Sequence, residues 1–426
     1  MTPIPSVPRI SYFCTPQYHL MEYFTHLLPN GIRLVHIPDT NHVSHCGILV
    51  NSGTRDENDE EHGIAHFIEH VIFKGTQRRK AYHILSRLDD VGGEINAYTT
   101  KEETAFYASF LNQYYERAFE LISDIVFHSI FPQHELAREK EVIIDEINSY
   151  KDSPADLIFD EFEEMIYRNH PIGRNVLGTA TTIESFTRQS VTRFMNRTYN
   201  TDEMVICSVG NISFGRLTRL VEKYFGEIPE NPRRFGRSAF QSYQQVIETK
   251  NLQTYQAHCI MGNLAFHALE PRRMNLILLN NILGGQGLNS RLNMSLREKH
   301  GYAYNIESTY TPYTDTGVLT IYFGTDKEKL GKCIHLVNKE LDKLRNQRLG
   351  SVQLRRAKNQ ILGQIAMSTA NKENLLFTLG KSILLFDRFE SLISISQKIE
   401  AITADDLMDT ANLVLDPGSL SQLVYL

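Results

Sequence analysis

No stretch of the 426-residue chain holds 18 consecutive apolar residues, so nothing in it can cross a bilayer as a helix. Positive charge is not in excess either. Lys and Arg number 44 against 50 Asp and Glu, a net charge of −6, which lacks the basic footprint that nucleic acid demands. Cysteine is scarce: Cys14, Cys46, Cys207, Cys259 and Cys333 are odd in number, widely spaced and free of any CxxC pair. That pattern argues against a disulfide framework or a thiolate metal site and predicts buried, reduced thiols. Low-complexity sequence is absent too, and 42% hydrophobic with 22% charged residues is the composition of a folded globular protein. The stretch Met1–Tyr23 has no basic start followed by an apolar run, and the expectation is a cytoplasmic protein.

What is present is length enough for two cores. Short β-branched runs at 31–38 and 44–51 read as antiparallel strands, followed by helical patterns at 62–74 and 81–91, the second ending on Gly92-Gly93. Two more strands (94–99 and 104–111) precede a long helical stretch, 113–150, which Phe131-Pro132 divides. Residues 229–245 are polar, aperiodic and rich in Pro and Arg, as a linker would be. Beyond them the order repeats: a strand at 257–262, a helix at 272–283, a Gly-rich stop at Gly284–Gly287, a further helix to Lys299, and strands at 303–311 and 317–324. The expected fold is α+β, with duplicated domains at 20–228 and 246–426. Each is a mainly antiparallel sheet with helices packed on one face. The Gly284–Gly287 run lacks a following Lys-Ser/Thr and lies after a helix, which excludes a phosphate loop.

The chemistry concentrates in His66-Phe-Ile-Glu-His70. Histidines four apart on a helix emerge from one face, within reach of a single ion. Zinc fits such a pair, because it takes imidazole nitrogens in tetrahedral sites and keeps one position for water. Glu69 points to the same side, where a carboxylate can take the proton of that water as it attacks a peptide carbonyl and pass it to the leaving amine. Histidines that simply line a surface helix would give the same five letters.

A catalytic zinc needs a third protein ligand, and Glu146 lies on the acidic helix 135–150, with Glu139 two turns before it. Together with Ile143 and Tyr150 they form one stripe, partly apolar, where an unpaired carboxylate is costly and a cation removes that cost. Glu146 is thus the candidate metal ligand and Glu139 the group that orients a ligand. An i, i+7 acid pair also suits a solvated helix face, and only its combination with the histidines favours the metal. The acidic runs 56–61 (DENDEE) and 152–164 read as solvated loop and helix faces, or else as an acidic cavity for basic peptides.

HGIAHFIEHVIFKGT, GGEINAYTTKEETAFYA and EKEVIIDEI together resemble the pitrilysin/insulinase family of inverzincin zinc metallopeptidases, in its two-domain branch. The resemblance implies His66, His70 and Glu146 on one zinc per chain, Glu69 as base and Glu139 as ancillary acid. It also implies that Arg297 and Tyr304, in LREKHGYAY, hold substrate and stabilise the oxyanion. Asn96-Ala97-Tyr98 would be an exposed edge strand to which a peptide adds, main chain to main chain. The implied protein is an endopeptidase acting on peptides or unfolded chains in a closed chamber, and a homodimer or a heterodimer with a related subunit. A non-catalytic assembly subunit is the competing class. At an offset of about 210 residues, positions 66, 69 and 70 fall opposite Leu276, Leu279 and Asn280, so only the first half carries metal ligands.

Overall fold

A computed structural model describes residues 22–426. Cys14 and most of the Met1–Tyr23 stretch lie outside them. Strands β1 (Phe24–Leu27), β2 (Arg33–Pro38), β3 (Val43–Val50), β4 (Glu94–Thr99), β5 (Thr104–Leu111) and β6 (Met204–Gly210) form one sheet in the order β1-β2-β6-β3-β5-β4. A second sheet takes β7 (Ile247–Lys250), β8 (Ala257–Leu264), β9 (Ala303–Pro312), β10 (Gly317–Thr325) and β11 (Ser421–Tyr425) in the order β7-β11-β8-β10-β9. Pairing is antiparallel except at β2–β6 and β7–β11. The fold is two α+β units of mainly antiparallel sheet, and among the described residues no helix is long and apolar enough to cross a membrane.

Each unit's own helices cover one face of its sheet. In the first, Ile48, Phe106 and Ile206 pack against Ile68, Phe119 and Ile122. The opposite faces are covered by exchange between the halves. Helix Lys372–Phe386, from the second half, lays Leu375, Leu376, Leu379 and Ile383 on Val35, Leu49, Val205 and Val209. It approaches so closely that a Cβ on Gly380 would stand 2.6 Å from Leu49 Cδ2 and 2.8 Å from Cys207 Sγ. In return, helix Pro154–Ile166 lays Ile158, Phe162 and Ile166 on Ile260, Val318 and Tyr425 of the second sheet. The physical reason is visible in β6: every residue of MVICSVG is buried, and a strand apolar on both faces needs cover on both.

Several local expectations shift. The 62–74 pattern becomes an α-helix only over Ile64–Val71, with a 3-10 turn after it, and the helix expected up to Lys299 is π-helical over Asn293–Glu298. Cys46, Cys207, Cys259 and Cys333 are buried and free. Leu276 and Leu279 are buried core residues of the second half, while Asn280 donates to the Ser308 carbonyl at 3.0 Å.

The acidic runs divide: Asp59, Glu60, Asp152 and Glu164 are exposed, as solvated faces would be, and Asp156 borders a cavity, while the other acids turn inward. Asp56, Glu57 and Glu61 are buried. Asp56 pairs with Arg237 at 2.7 Å and Arg233 at 3.2 Å, and Glu61 pairs with Arg197. On Pro154–Ile166, Glu161 meets Lys250 at 2.7 Å, and Glu163 meets Lys101 and accepts from the Tyr313 hydroxyl at 3.0 Å. These acids are internal counter-charges for basic residues far along the chain.

Asp160, on the same helix, has its carboxyl pushed up to about 6, chiefly by burial, with Glu163 and Glu164 adding repulsion against the pull of Lys101. Between about pH 4 and pH 6 the folded chain holds a proton there that the unfolded chain has released, so this group's contribution to stability falls as pH rises through that window. Asp160→Asn is therefore expected to stabilise the protein by about 1–3 kcal/mol above neutrality and to be nearly neutral below about pH 4. Urea melts at the two pH values check both the sign and the window.

Candidate metal centre

Helix Ile64–Val71 starts at Gly63, whose φ of 92° is in the left-handed region. A Cβ there would stand 2.7 Å from the Gly178 Cα and the Leu177 carbonyl oxygen, so only glycine fits. Glu57 caps the helix: its carboxylate accepts the Gly63 and Ala65 amides, each at 2.9 Å. Burial pushes the Glu57 carboxyl well above the usual range, opposed by those two amides and by Arg174.

On that anchored helix the two imidazoles stand side by side, with ring centroids 4.7 Å apart. Glu146, from helix Gln133–Lys151, reaches across to both. Its Oε2 lies 3.8 Å from His66 Nε2 and 3.5 Å from His70 Nε2. The three donor atoms fall within 4.8 Å of one another, the only such cluster of three among the described residues. Tetrahedral zinc at about 2.0–2.1 Å from each ligand sets them about 3.3–3.5 Å apart. Glu146 stands within a few tenths of an ångström of that spacing to each imidazole, and two imidazoles and a carboxylate are a donor set that suits the ion.

Supporting groups favour the same arrangement. His70 Nδ1 is 3.3 Å from Glu139 Oε2, and Glu139 Oε1 is 2.8 Å from Lys74 Nζ. A proton on Nδ1 facing that carboxylate leaves the Nε2 lone pair free for a metal. Burial, and then the nearby His70, push the His66 imidazole down to about 4, so at neutral pH it is uncharged, as a ligand must be. Glu69 is pushed up, chiefly by burial, against a hydrogen bond from Thr99.

Glu69 and His70 open onto a cavity of about 350 Å³ whose apolar walls are Phe73, Leu85, Ile95 and Ala97. Asn96 also borders it, and β4 is the sheet's edge, paired only with β5. Tyr98 is turned away: its ring packs on Phe377 and Tyr107 and its hydroxyl donates to Glu103 at 3.0 Å. From this strand the cleft therefore receives Ile95, Asn96 and Ala97 and not the Tyr98 side chain.

Arg297 and Tyr304 stand together elsewhere. The guanidinium lies 4.7 Å over the exposed Tyr304 ring, and both border a second cavity of about 820 Å³, lined by the second half and by Ala155, Asp156 and Phe159 of the first. None of His66, Glu69, His70 and Glu146 lines that cavity. Glu57, Lys74 and Thr99 escape sequence reasoning. Lys74, four residues after His70, could have been found from helical spacing; Glu57 was hidden in a run that reads as solvated.

A family model described as insulinase, peptidase family M16, matches residues 33–180, and one described as peptidase M16 inactive domain matches residues 185–361. The protein named zinc protease YmxG of Bacillus subtilis is 34% identical over 378 residues, covering 88% of this chain and 91% of its own length. A protein of Rickettsia felis, also named a zinc protease, is 31% identical and covers 93% of this chain and 96% of its own length. Among solved structures, a peptidase M16 inactive domain from Pseudomonas fluorescens superposes with a TM-score of 0.89 at 19% identity over 95% of this chain and 97% of its own. A protease from Helicobacter pylori gives 0.85 at 20% identity over 96% of this chain and all of its own. With both halves matched and relatives of over 30% identity along nearly its whole length, the chain belongs to the insulinase family of peptidases, family M16.

Proposed function

We propose that the chain is a zinc-dependent endopeptidase that cleaves peptides or unfolded polypeptides. The observation that carries this is the convergence of His66, His70 and Glu146 from two helices, beside a cleft onto which Glu69 opens. His66, His70 and Glu146 would hold one zinc per chain. When bound, the ion supplies Lewis acidity toward water and the scissile carbonyl. Glu69 takes the proton of the attacking water on its carboxylate and delivers it to the leaving amine nitrogen. Its burial raises its basicity toward what a general base needs near neutral pH. Glu139 holds His70 in the tautomer that leaves Nε2 free, and Lys74 holds Glu139.

The unpaired edge of β4 offers main-chain donors and acceptors to an extended peptide. A peptide held there would place a side chain in the apolar cavity of Phe73, Leu85, Ile95 and Ala97, which favours an apolar residue next to the cut rather than a basic one. Arg297 would donate to substrate carbonyls, and the Tyr304 hydroxyl to the developing oxyanion. Because these two line a different cavity from the metal cleft, a second copy of the chain is the reading that brings them to it.

Digesting an unstructured peptide library, with and without a chelator, tests the proposal. Cuts should cluster beside apolar residues and vanish with chelator until zinc is restored. Cleavage that survives full metal removal would rule out the metal mechanism, and cuts confined to basic residues would rule out the pocket assignment.

A further inference from the structure

Away from the metal cleft, a buried knot of charge ties the two halves together at the tips of two hairpins. The β4–β5 turn brings Lys101 and Glu102; the β9–β10 turn brings Tyr313, Thr314 and Asp315. Between them stands Arg55, its side chain only 1% exposed. Its Nη1 donates to Glu102 Oε1 at 2.6 Å and to Asp315 Oδ1 at 2.7 Å, and its Nη2 donates to Asp315 Oδ2 and the Ser238 carbonyl, each at 2.7 Å. Glu102 is also bound directly by the opposite turn, through the Thr314 amide at 2.9 Å and hydroxyl at 2.6 Å.

The knot is balanced: Arg55, Arg233 and Arg237 face Asp56, Glu102 and Asp315. A buried set of paired charges contributes little net stability compared with apolar packing, but it is intolerant of any other alignment of its partners. Its two anchors lead to the candidate substrate groups. One turn closes β4, the edge strand beside Glu69 and His70. The other closes β9, whose start bears Tyr304, and over the eight residues between, a strand spans about 26 Å. Because β9 is laddered to β10 along that length, a small tilt of the second unit at this staple becomes a large displacement at the hydroxyl.

We propose that Arg55 is a positioning residue: its fork staples the β4–β5 turn to the β9–β10 turn and so fixes the angle between the two units of each chain, on which the fit of one copy's Tyr304 to the other copy's peptide-binding edge depends. The inference rests on the peptidase reading above. It requires the planar fork, because a lysine ammonium is a point charge that cannot hold both oxygens of Asp315 and Glu102 in one geometry.

The test compares wild type, Arg55→Lys, Tyr304→Phe and the double variant on one fluorogenic peptide, with zinc content measured alongside. Arg55→Lys should lower kcat on the order of 10- to 100-fold, the scale of an ångström's misplacement, with KM and zinc content little changed. The double variant should be no worse than Tyr304→Phe alone. Multiplied losses, or a loss confined to KM, would overturn the proposal. Hydrogen exchange reads the staple without activity: in Arg55→Lys, and in the milder Thr314→Val, residues 100–103 and 313–316 should lose protection together while 64–71 keep theirs. Unchanged protection at either turn refutes the staple. An inactive wild-type protein whose turns still open together would refute the peptidase reading instead.

Discussion

Glu69→Gln should abolish most peptide cleavage, lowering kcat by about 10²- to 10⁴-fold, the range general-base catalysis supplies. The substitution is nearly isosteric and keeps a side chain able to bond with Thr99, so the cleft and its metal should survive. What disappears is the only function assigned to Glu69, accepting a proton from water. Burial raises this carboxyl's affinity for that proton, and an amide has none to offer at neutral pH. Zinc analysis beside steady-state kinetics separates the two cases. A variant that keeps its metal and loses its rate fits a base; one that loses both makes Glu69 a ligand.

Glu146→Ala should have an effect of similar size on activity by the opposite route, through loss of the ion. Glu146 is 44% exposed and supports no core, so the chain should stay folded with its two histidines intact. Two imidazoles on one helix hold zinc far less tightly than a three-ligand site, and zinc retained through dialysis should fall from about one per chain toward zero. Glu139→Ala should sit between, weakening the metal by about 10- to 100-fold through His70 alone. Equal retention in all three proteins would remove Glu146 from the site.

The difference between what the sequence discloses and what it conceals is physical. Helical periodicity is local, so His66 and His70 on one face, and Glu139 and Glu146 on another helix, can be read from spacing; the β4–β5 strand pair can be read from its pattern, whereas the edge position of β4 comes only with the family resemblance. Charge in a run such as DENDEE cannot be read so. Its fate depends on Arg197, Arg233 and Arg237, 136 to 181 residues away, and on a loop that folds back to cap a helix. The exchanged helix Lys372–Phe386 is hidden for the same reason: its apolar stripe does not say which sheet it meets. The nearly unbroken apolar run MVICSVG was the available hint that the first sheet needed a second cover.

The decisive observation is the coordination of the ion itself. X-ray absorption at the zinc edge, on protein loaded with one equivalent, should return two imidazole nitrogens at about 2.0–2.1 Å and carboxylate or water oxygens at about 2.0–2.2 Å, with no sulfur. One imidazole should vanish in His70→Ala. A sulfur shell, or a spectrum unchanged by that substitution, would mean the metal binds elsewhere and that His66, His70 and Glu146 do not form its site.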